Sequence, residues 1–181
     1  MVEPIGRIFV AVGFPPEVRM AIVSQLDQLQ LPGTPVPVEN LHVTLRFLGE
    51  VDSVGFDRLL AALDGATLPG SFHVELGGLG TFPKPRQATV LWLAVTTGGD
   101  ALVDLQLAVE DGCEEAGLGR EERPFRPHVT VSWIRPPADV RPVVAALPSL
   151  GLRSAVDEIV VLRSHLGAGA PRYELLERFP L

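Results

Sequence analysis

The sequence predicts a duplicated α+β domain whose two halves face each other across a cleft. A hexapeptide occurs twice in nearly the same form, as HVTLRF from His42 and as HVTVSW from His128. Apolar and polar residues alternate along both stretches, which is the pattern of a half-buried strand. The surroundings repeat as well, because Val74 follows His42 and Val160 follows His128 at the same distance of 32 residues. This matched spacing favours two copies of one unit.

Each unit is predicted to run strand, helix, HxT strand, helix, strand, where HxT denotes a histidine and a threonine two residues apart. Helices are expected where apolar residues recur at three to four positions, as in the segment that begins at Glu17. In the first half the predicted elements are a strand at 7–14, a helix from 17, a strand at 41–48, a helix at 54–63 and a strand at 72–76.

The second half is predicted to contain the same succession, followed by one extra strand. Its elements are a strand at 88–95, a helix at 100–115, a strand at 128–134, a helix at 140–147 and a strand at 157–162. We therefore expect one domain over residues 1–181, with pseudo-symmetric lobes at about 1–80 and 86–165 and a terminal strand at 172–179. If the lobes pack about a pseudo-twofold axis, their polar strand faces meet and bring His42 close to His128.

Composition limits the classes of partner. The chain is 46% hydrophobic with a formal net charge of -7, which is typical of a folded protein and excludes a broad electrostatic surface for nucleic acid. All basic residues except Lys84 are arginine, a side chain suited to local phosphate contacts. A single cysteine, Cys113, cannot form an internal disulfide. We find no signal peptide or membrane-spanning stretch, and we expect a cytoplasmic monomer without membrane contact.

The HxT strands suggest a chemistry. Residues i and i+2 of a strand point the same way, so His42 with Thr44, and His128 with Thr130, each present an imidazole and a hydroxyl to one space. Two imidazoles can serve as acid and base near neutral pH, and two hydroxyls can hold oxyanions. This set suits in-line displacement at phosphorus. Two histidines without companion carboxylates make a poor zinc site, so no metal or other cofactor is expected.

Further candidates lie beside the HxT strands. By simple alternation Arg46 shares the face of His42 and Thr44, which makes it either a phosphate or RNA contact or an ion pair at the rim of the site. The loop 120–126 leads into the second HxT strand, where Phe125 could stack a base and Arg126 could hold a phosphate. The glutamates of this loop favour an ordinary solvated turn for Arg120 and Arg123.

The motifs HVTL from His42 and HVTV from His128 resemble the paired HxTx motifs of the 2H phosphoesterase superfamily. The likeness extends over nearly the whole chain, through RIFVAVGFPPEV, HVTLRFLGEV, LGTFPKPRQATVLWLAV, RPFRPHVTV, VVLRSHL and YELLERFPL. The chain is similar to the RNA 2′,3′-cyclic phosphodiesterases, also called LigT-like proteins or 2′-5′ RNA ligases. This resemblance implies a bilobed α+β fold with two antiparallel sheets lining a central cleft and helices outside.

The same resemblance implies an activity and roles for residues. It implies metal-independent hydrolysis of RNA 2′,3′-cyclic phosphate ends to 2′-phosphomonoesters, with reversible 2′-5′ RNA ligation in some members. His42 would be the proton donor to the leaving 3′ oxygen and His128 the proton acceptor from water, while Thr44 and Thr130 would bind the phosphate. The partners would be RNA ends or nucleotides that carry a 2′,3′-cyclic phosphate.

One position departs from the family pattern. Many relatives carry an arginine five residues after the second histidine, where this chain has Trp133. By alternation Trp133 lies opposite His128 and packs in the core, as Phe47 does in the first repeat. Arg135 or Arg126 could then supply the missing charge.

Two other functions fit the residues. A phosphodiesterase for a small cyclic phosphate, such as ADP-ribose 1″,2″-cyclic phosphate, would suit the acidic chain. A protein that binds RNA ends without hydrolysing them would use the same motifs, although nothing in either HxT indicates damage. Turnover of each substrate distinguishes these alternatives.

Overall fold

The computed structural model of the protein describes residues 3–181. Its strands are β1 Pro4–Gly13, β2 Thr34–Pro35, β3 His42–Asp52, β4 Phe72–Phe82, β5 Ala88–Thr97, β6 His128–Ala138, β7 Leu152–Val156, β8 Glu158–His165 and β9 Arg172–Pro180. Its α-helices are α1 Pro16–Leu26, α2 Ser53–Gly65, α3 Gly99–Glu115 and α4 Arg141–Ala146. Short 3₁₀ turns occupy Val38–Asn40 and Pro85–Gln87. Every element predicted from the sequence is present, and β2 and β7 are additional.

The strands form an antiparallel sheet in the order β7-β4-β5-β6-β3-β1-β8-β9, with β2 paired to β6. Its two halves meet between β3 and β6, which are paired through Val43 and Val129. The predicted α+β class with antiparallel strands is confirmed, and the two expected sheets are the two halves of one sheet, joined at this pair.

The last strand of each sequence unit crosses to the other half of the sheet. Strand β4, which ends the first unit, pairs with β5 and β7. Strand β8, which ends the second unit, pairs with β1 and β9. The lobes expected at 1–80 and 86–165 therefore do not coincide with the sheet halves, because the half with β6 takes β4 and the short β2 from the first segment, and the half with β3 takes β8 from the second.

The helices cover one face of the sheet and leave the other open. The main hydrophobic cluster joins alternate residues of β1, Ile8 and Val10, to helix residues such as Ile22, Leu59 and Leu105, all fully buried. The opposite face, here called the cleft face, carries a small second cluster of Phe9, Ala11 and Val160. Among the helices of residues 3–181, none is both long and apolar enough to cross a membrane.

A β-bulge interrupts each HxT strand at its fourth residue. In β3 the register passes from the pair Thr44 and Ala11 to the pair Arg46 and Val10, so that Leu45 has no partner. Directly paired residues point to the same side of a sheet, and Val10 belongs to the helix-covered core. The bulge therefore turns Arg46 away from the cleft face, contrary to the alternation expected from the sequence.

The residue after the arginine is turned the other way. Phe47 pairs with Phe9 of the cleft face and is 44% exposed, so the prediction that it packs in the core is wrong. In β6 the register skips Val131 in the same manner, and Trp133 pairs with Val90, which shares the cleft face with Trp92. Trp133 is half-buried against the main cluster, but it lies on the face of His128 and not on the opposite one.

Candidate active site

The single bridge between β3 and β6 brings the two HxT motifs together. Val43 and Val129 are directly paired and almost fully buried in the core, so their sequence neighbours point to the cleft face. In an antiparallel pair this places His42 and Thr130 on one side of the bridge, and Thr44 and His128 on the other. All four side chains are partly accessible.

Both histidines are held in the same way. The Nδ1 of His42 lies 2.6 Å from the carbonyl oxygen of Asn40, and the Nδ1 of His128 lies 2.6 Å from that of Arg126. A carbonyl only accepts, so each Nδ1 donates a proton and each Nε2 faces away from this backbone contact. Asn40 is itself fixed, because its buried amide Nδ2 donates to the carbonyl of Pro171 at 2.6 Å.

The two histidines differ in their surroundings. His42 Nε2 lies 2.9 Å from the Thr44 hydroxyl, which donates to a neutral imidazole and accepts from a protonated one. Burial lowers the pKa of His42, the hydrogen bond to Asn40 partly opposes this shift, and the charge of nearby His128 adds to it. Without a ligand, His42 therefore favours its neutral form.

Each histidine packs against two aromatic rings from neighbouring strands. The ring centroid of His42 is 5.2 Å from that of Phe9 and 5.5 Å from that of Tyr173. The ring of His128 is 5.2 Å from Phe82 and 5.9 Å from Trp92. These four aromatic residues were not predicted from the sequence, although two of them stand in the apolar strands IFVAV and LWLAV, which hint at paired positions.

Two cavities open beside the motifs. The His42-side cavity, of about 480 Å³, lies between the end of β1 and strands β7 to β9, and Tyr173, Leu162, Arg19 and Glu158 are among its walls. The loop-side groove, of about 470 Å³, opens at Thr44 and His128. It is lined by Thr44, Leu45, Arg46, Phe47, Phe82, Gln106, Glu121, Arg123, Pro124, Phe125, Arg126 and His128.

Arg46 is engaged in ion pairs. It is 8% exposed, its Nε lies 3.4 Å from Glu110 Oε1, and its Nη1 lies 3.6 Å from Glu121 Oε2. Its Nη2 donates to the carbonyl of Gly119 at 3.3 Å. Of the two roles considered from the sequence, the ion pair is the one present, although the side chain also lines the groove.

The other substrate-binding candidates separate into two groups. Phe125 is half-buried and Arg126 is exposed, and both line the groove beside His128. Arg135 is exposed and is not among the residues that line the groove or the His42-side cavity. Arg126 is therefore better placed than Arg135 to supply charge near His128.

The remaining histidines lie outside this set. His73 is exposed on β4. His165 Nε2 lies 2.6 Å from Glu174 Oε2, which also accepts from Arg163, in an ion-pair cluster on β8 and β9. Among residues 3–181, no group of three or more His, Cys, Asp or Glu side chains could hold a metal ion.

The sequence and the fold match known proteins. A family model described as the 2′-5′ RNA ligase superfamily matches residues 14–168. The RNA 2′,3′-cyclic phosphodiesterase of Escherichia coli (strain K12) is 31% identical over 183 residues, covering 100% of this chain and 99% of the relative. The protein of the same name from Thermus thermophilus is 34% identical, covering 97% of this chain and 90% of the relative.

Solved structures of E. coli LigT are also similar to this chain. The crystal structure of E. coli LigT in apo form has a TM-score of 0.82 and 29% identity, and covers 98% of both chains. The structure of E. coli LigT complexed with 3′-AMP has a TM-score of 0.81 and 28% identity, and covers 99% of this chain and 98% of that one. With its paired HxT motifs on adjacent strands, the chain belongs to the 2′-5′ RNA ligase superfamily.

Proposed function

We propose that this protein hydrolyses RNA ends that carry a 2′,3′-cyclic phosphate to 2′-phosphomonoesters. The observation that carries the proposal is the matched pair of histidines on the cleft face, each held through Nδ1 by a backbone carbonyl, with Nε2 of His42 beside the Thr44 hydroxyl. The relatives named RNA 2′,3′-cyclic phosphodiesterase, which match nearly the whole chain, support it.

The proposed reaction is an in-line displacement at phosphorus. His128 Nε2 accepts a proton from water as the water oxygen forms the new bond to phosphorus. His42 Nε2 gives a proton to the 3′ oxygen as the bond from phosphorus to that oxygen breaks, which leaves the phosphate on the 2′ oxygen. Thr44 and Thr130 donate hydrogen bonds to the non-bridging oxygens.

The lowered pKa of His42 has a consequence for this assignment. A proton donor must be protonated before it acts, and burial holds the pKa of His42 below its usual value in the free protein. A bound cyclic phosphate brings a negative charge next to both imidazoles, which raises their pKa values. Substrate binding would thus favour the protonated form of His42, which then transfers this proton to the 3′ oxygen.

The same groups support two further parts of the proposal. Proton transfer by two imidazoles and charge stabilisation by two hydroxyls supply the acid, the base and the phosphate contacts without a metal ion. If a 5′-hydroxyl of another RNA takes the place of water, the same displacement joins the two strands through a 2′-5′ linkage. The groove beside His128 leaves room for such a strand.

The decisive experiment uses an oligonucleotide that ends in a 2′,3′-cyclic phosphate, incubated in EDTA, with mapping of the product phosphate. We expect a 2′-phosphate, and a loss of about 10²- to 10⁴-fold in rate for His42→Ala and for His128→Ala. His73→Ala, at an exposed histidine on β4, is the matched control. No turnover, a 3′-phosphate product or a near-normal rate for His128→Ala would contradict the mechanism.

A small cyclic phosphate is a second candidate substrate. The observation that favours it is the mixed charge of the His42-side cavity, where the carboxylates Glu39, Asp157 and Glu158 stand beside Arg19 and Arg178 and leave no excess of positive charge for a polyanion. A kcat/KM for ADP-ribose 1″,2″-cyclic phosphate above that for an RNA end would establish this alternative. Tight binding of RNA ends without turnover would instead establish a binding protein.

We place this activity in a cytoplasmic monomer. A single cysteine supports a reducing compartment. Cys113 is fully buried, and burial together with the charge of Glu110 raises its pKa to about 11, so the thiol is protonated and unreactive. Size-exclusion chromatography with light scattering tests the monomeric state.

A further inference from the structure

The residue two positions before each HxT histidine accepts the hydrogen bond from its Nδ1, but these two residues differ in their surroundings. Arg126, which holds His128, is exposed. Asn40, which holds His42, is only 5% exposed and ends the short 3₁₀ turn Val38–Asn40. Burying an amide costs free energy unless the amide is hydrogen-bonded, so the side chain of Asn40 needs a partner of its own.

The partner of the Asn40 amide is the turn between β8 and β9. Its Nδ2 donates to the carbonyl oxygen of Pro171 at 2.6 Å, across 131 residues of sequence. The preceding residues of this turn, 166–170, are all exposed, so packing holds them weakly. The hydrogen bond from the buried amide therefore fixes the end of a turn that otherwise lies in solvent.

Two residues after Pro171, strand β9 brings Tyr173 against His42. Their ring centroids are 5.5 Å apart at an interplanar angle of 82°, and Tyr173 also meets the ring of Phe9 edge-on at 4.9 Å. Asn40 therefore acts on the surroundings of His42 from two sides. Its carbonyl holds the imidazole at Nδ1, and its amide holds the start of the strand whose tyrosine packs against the ring.

This arrangement fixes which nitrogen of neutral His42 carries the proton. A neutral imidazole has one N–H and one acceptor nitrogen, and the nitrogen that faces a carbonyl must be the donor. With Nδ1 held by Asn40, Nε2 is the acceptor and lies 2.9 Å from the Thr44 hydroxyl. A histidine that gives up a proton from Nε2 keeps its other proton on Nδ1, and the carbonyl of Asn40 stabilises that form.

We propose that Asn40 is a positioning residue that orients His42 and couples it to the turn 166–171. The carbonyl of Asn40 retains the Nδ1 proton of His42. Its amide, through the bond to Pro171, keeps this carbonyl and the ring of Tyr173 in place together. The inference rests on the proposed function, in which His42 gives a proton from Nε2, and extends it to a residue that acts through His42.

The first test observes the imidazole directly. In Asn40→Leu the side chain keeps its branched shape but loses the N–H that binds Pro171, and Tm checks that the variant is folded. Nitrogen NMR of isotope-labelled protein distinguishes a proton on Nδ1 from a proton on Nε2. At a pH where His42 is neutral, we expect Nδ1–H in the unaltered protein and a mixture of both tautomers in Asn40→Leu. His128 keeps its own carbonyl partner, so its signals are the internal control and should not change.

The outcome that would overturn the inference is visible in the same spectra. A folded variant in which His42 stays entirely in the Nδ1–H form would show that the amide contributes only stability. Asn40→Ala removes the same donor without adding apolar bulk, and it gives the same reading where leucine does not fit.

The pH titration of His42 gives an independent reading. The hydrogen bond to Asn40 opposes the lowering of the pKa of His42 by burial, so a weaker bond should lower this pKa further. The other titratable groups that lie against the imidazole, His128 of β6 and Tyr173 of β9, are the same in both proteins. The alkaline limb of kcat/KM should therefore move to lower pH in Asn40→Leu. An alkaline limb at the same pH in both proteins would contradict a role through His42.

Kinetics separate positioning of His42 from substrate binding. Misplacement of a reacting group by about 1 Å costs up to about 10²-fold in rate, so kcat of Asn40→Leu should fall about 10- to 100-fold. KM should change little, because the phosphate contacts of both threonines are intact. Gln25→Ala, which removes an exposed amide on α1, is the matched control and should leave both constants unchanged. A raised KM with a normal kcat would place Asn40 in substrate binding and would overturn the proposal.

A double-variant cycle tests the coupling to the turn. Tyr173→Leu removes the ring that packs against His42. If Asn40 acts partly through this ring, the loss in kcat for the double variant should be smaller than the product of the two single losses, by about twofold or more. Losses that multiply would show that Asn40 holds His42 without the turn and would overturn the coupling. If the unaltered protein has no turnover, the proposed function fails, and the tautomers of His42 still decide the role of Asn40.

Discussion

The packing of Trp92 against Gly80 allows a sharp test of whether His128 depends on the aromatic rings around it. The two residues are directly paired across β4 and β5. A Cβ added at Gly80 would lie 2.3 Å from Cη2 of the indole ring. Ordinary carbon contacts are about 3.5 Å, so in Gly80→Ala the ring must retreat by roughly 1.2 Å.

This displacement has a calculable effect. The indole packs against His128 and Phe82, so part of the shift passes to the imidazole. A misplacement of about 1 Å costs up to about 10²-fold in rate, and we expect kcat to fall about 10- to 100-fold. Overpacking costs about 1–3 kcal/mol in stability. At about 2–4 °C per kcal/mol for a chain of this size, Tm should fall by about 2–12 °C.

The assay measures kcat on adenosine 2′,3′-cyclic phosphate together with Tm. Gly65→Ala, where an added Cβ meets nothing within 4 Å, is the matched control. In the background of Gly80→Ala, the change Trp92→Phe removes the clashing ring and should raise kcat again. A Gly80→Ala protein with normal kcat, or a double variant no faster than the single one, would refute the dependence of His128 on its aromatic neighbours.

Two more predictions concern charge and packing. The pKa of His42 is lowered in the free protein, and a bound phosphate raises it. Activity that needs protonated His42 is lost as the pH rises through this pKa. The loss should therefore occur at a lower pH in kcat/KM, which reports the free protein, than in kcat, which reports the complex with substrate. Profiles whose alkaline limbs coincide would contradict this assignment. Leu105→Ala, at a fully buried position on α3, should lower the free energy of unfolding by about 2–5 kcal/mol. Leu107→Ala, at a position 48% exposed on the same helix, should change it by less than about 0.5 kcal/mol, and equal effects in urea titrations would contradict the assigned burial.

The HxT strands could be predicted because their signal is local. Alternation identifies a strand, and the residues i and i+2 of a strand share a face whatever lies around them. The four residues His42, Thr44, His128 and Thr130 therefore needed only the assumption that the two units meet. In the structure the two units meet where Val43 of β3 pairs with Val129 of β6.

The residues after each motif could not be placed in this way. A β-bulge adds one unpaired residue and reverses which face the following side chains occupy. Leu45 and Val131 look like any other apolar strand residues in the sequence, so nothing marks the reversal. For this reason Arg46 was expected on the cleft face, while Phe47 and Trp133 were expected opposite it.

The aromatic neighbours of the histidines could not be predicted from the sequence, for a different reason. Strand β1 is buried at every position from Ile8 to Val12, because helices cover one face and the small cluster of Phe9 covers the other. A strand that is apolar on both faces has no alternation from which to read the cleft side. Only the register with β3 shows that Phe9 lies beside His42.

The exchange of β4 and β8 explains how one bridge can hold two catalytic strands. A single pair between β3 and β6 has too few hydrogen bonds to fix their relative position by itself. However, β4 comes from the segment of His42 and pairs with β5, which is next to the strand of His128. Strand β8 makes the reverse connection to β1, which is next to the strand of His42. Each HxT strand therefore lies in a half of the sheet that also contains a strand from the other segment. The two histidines come together only when both segments have folded into the complete sheet.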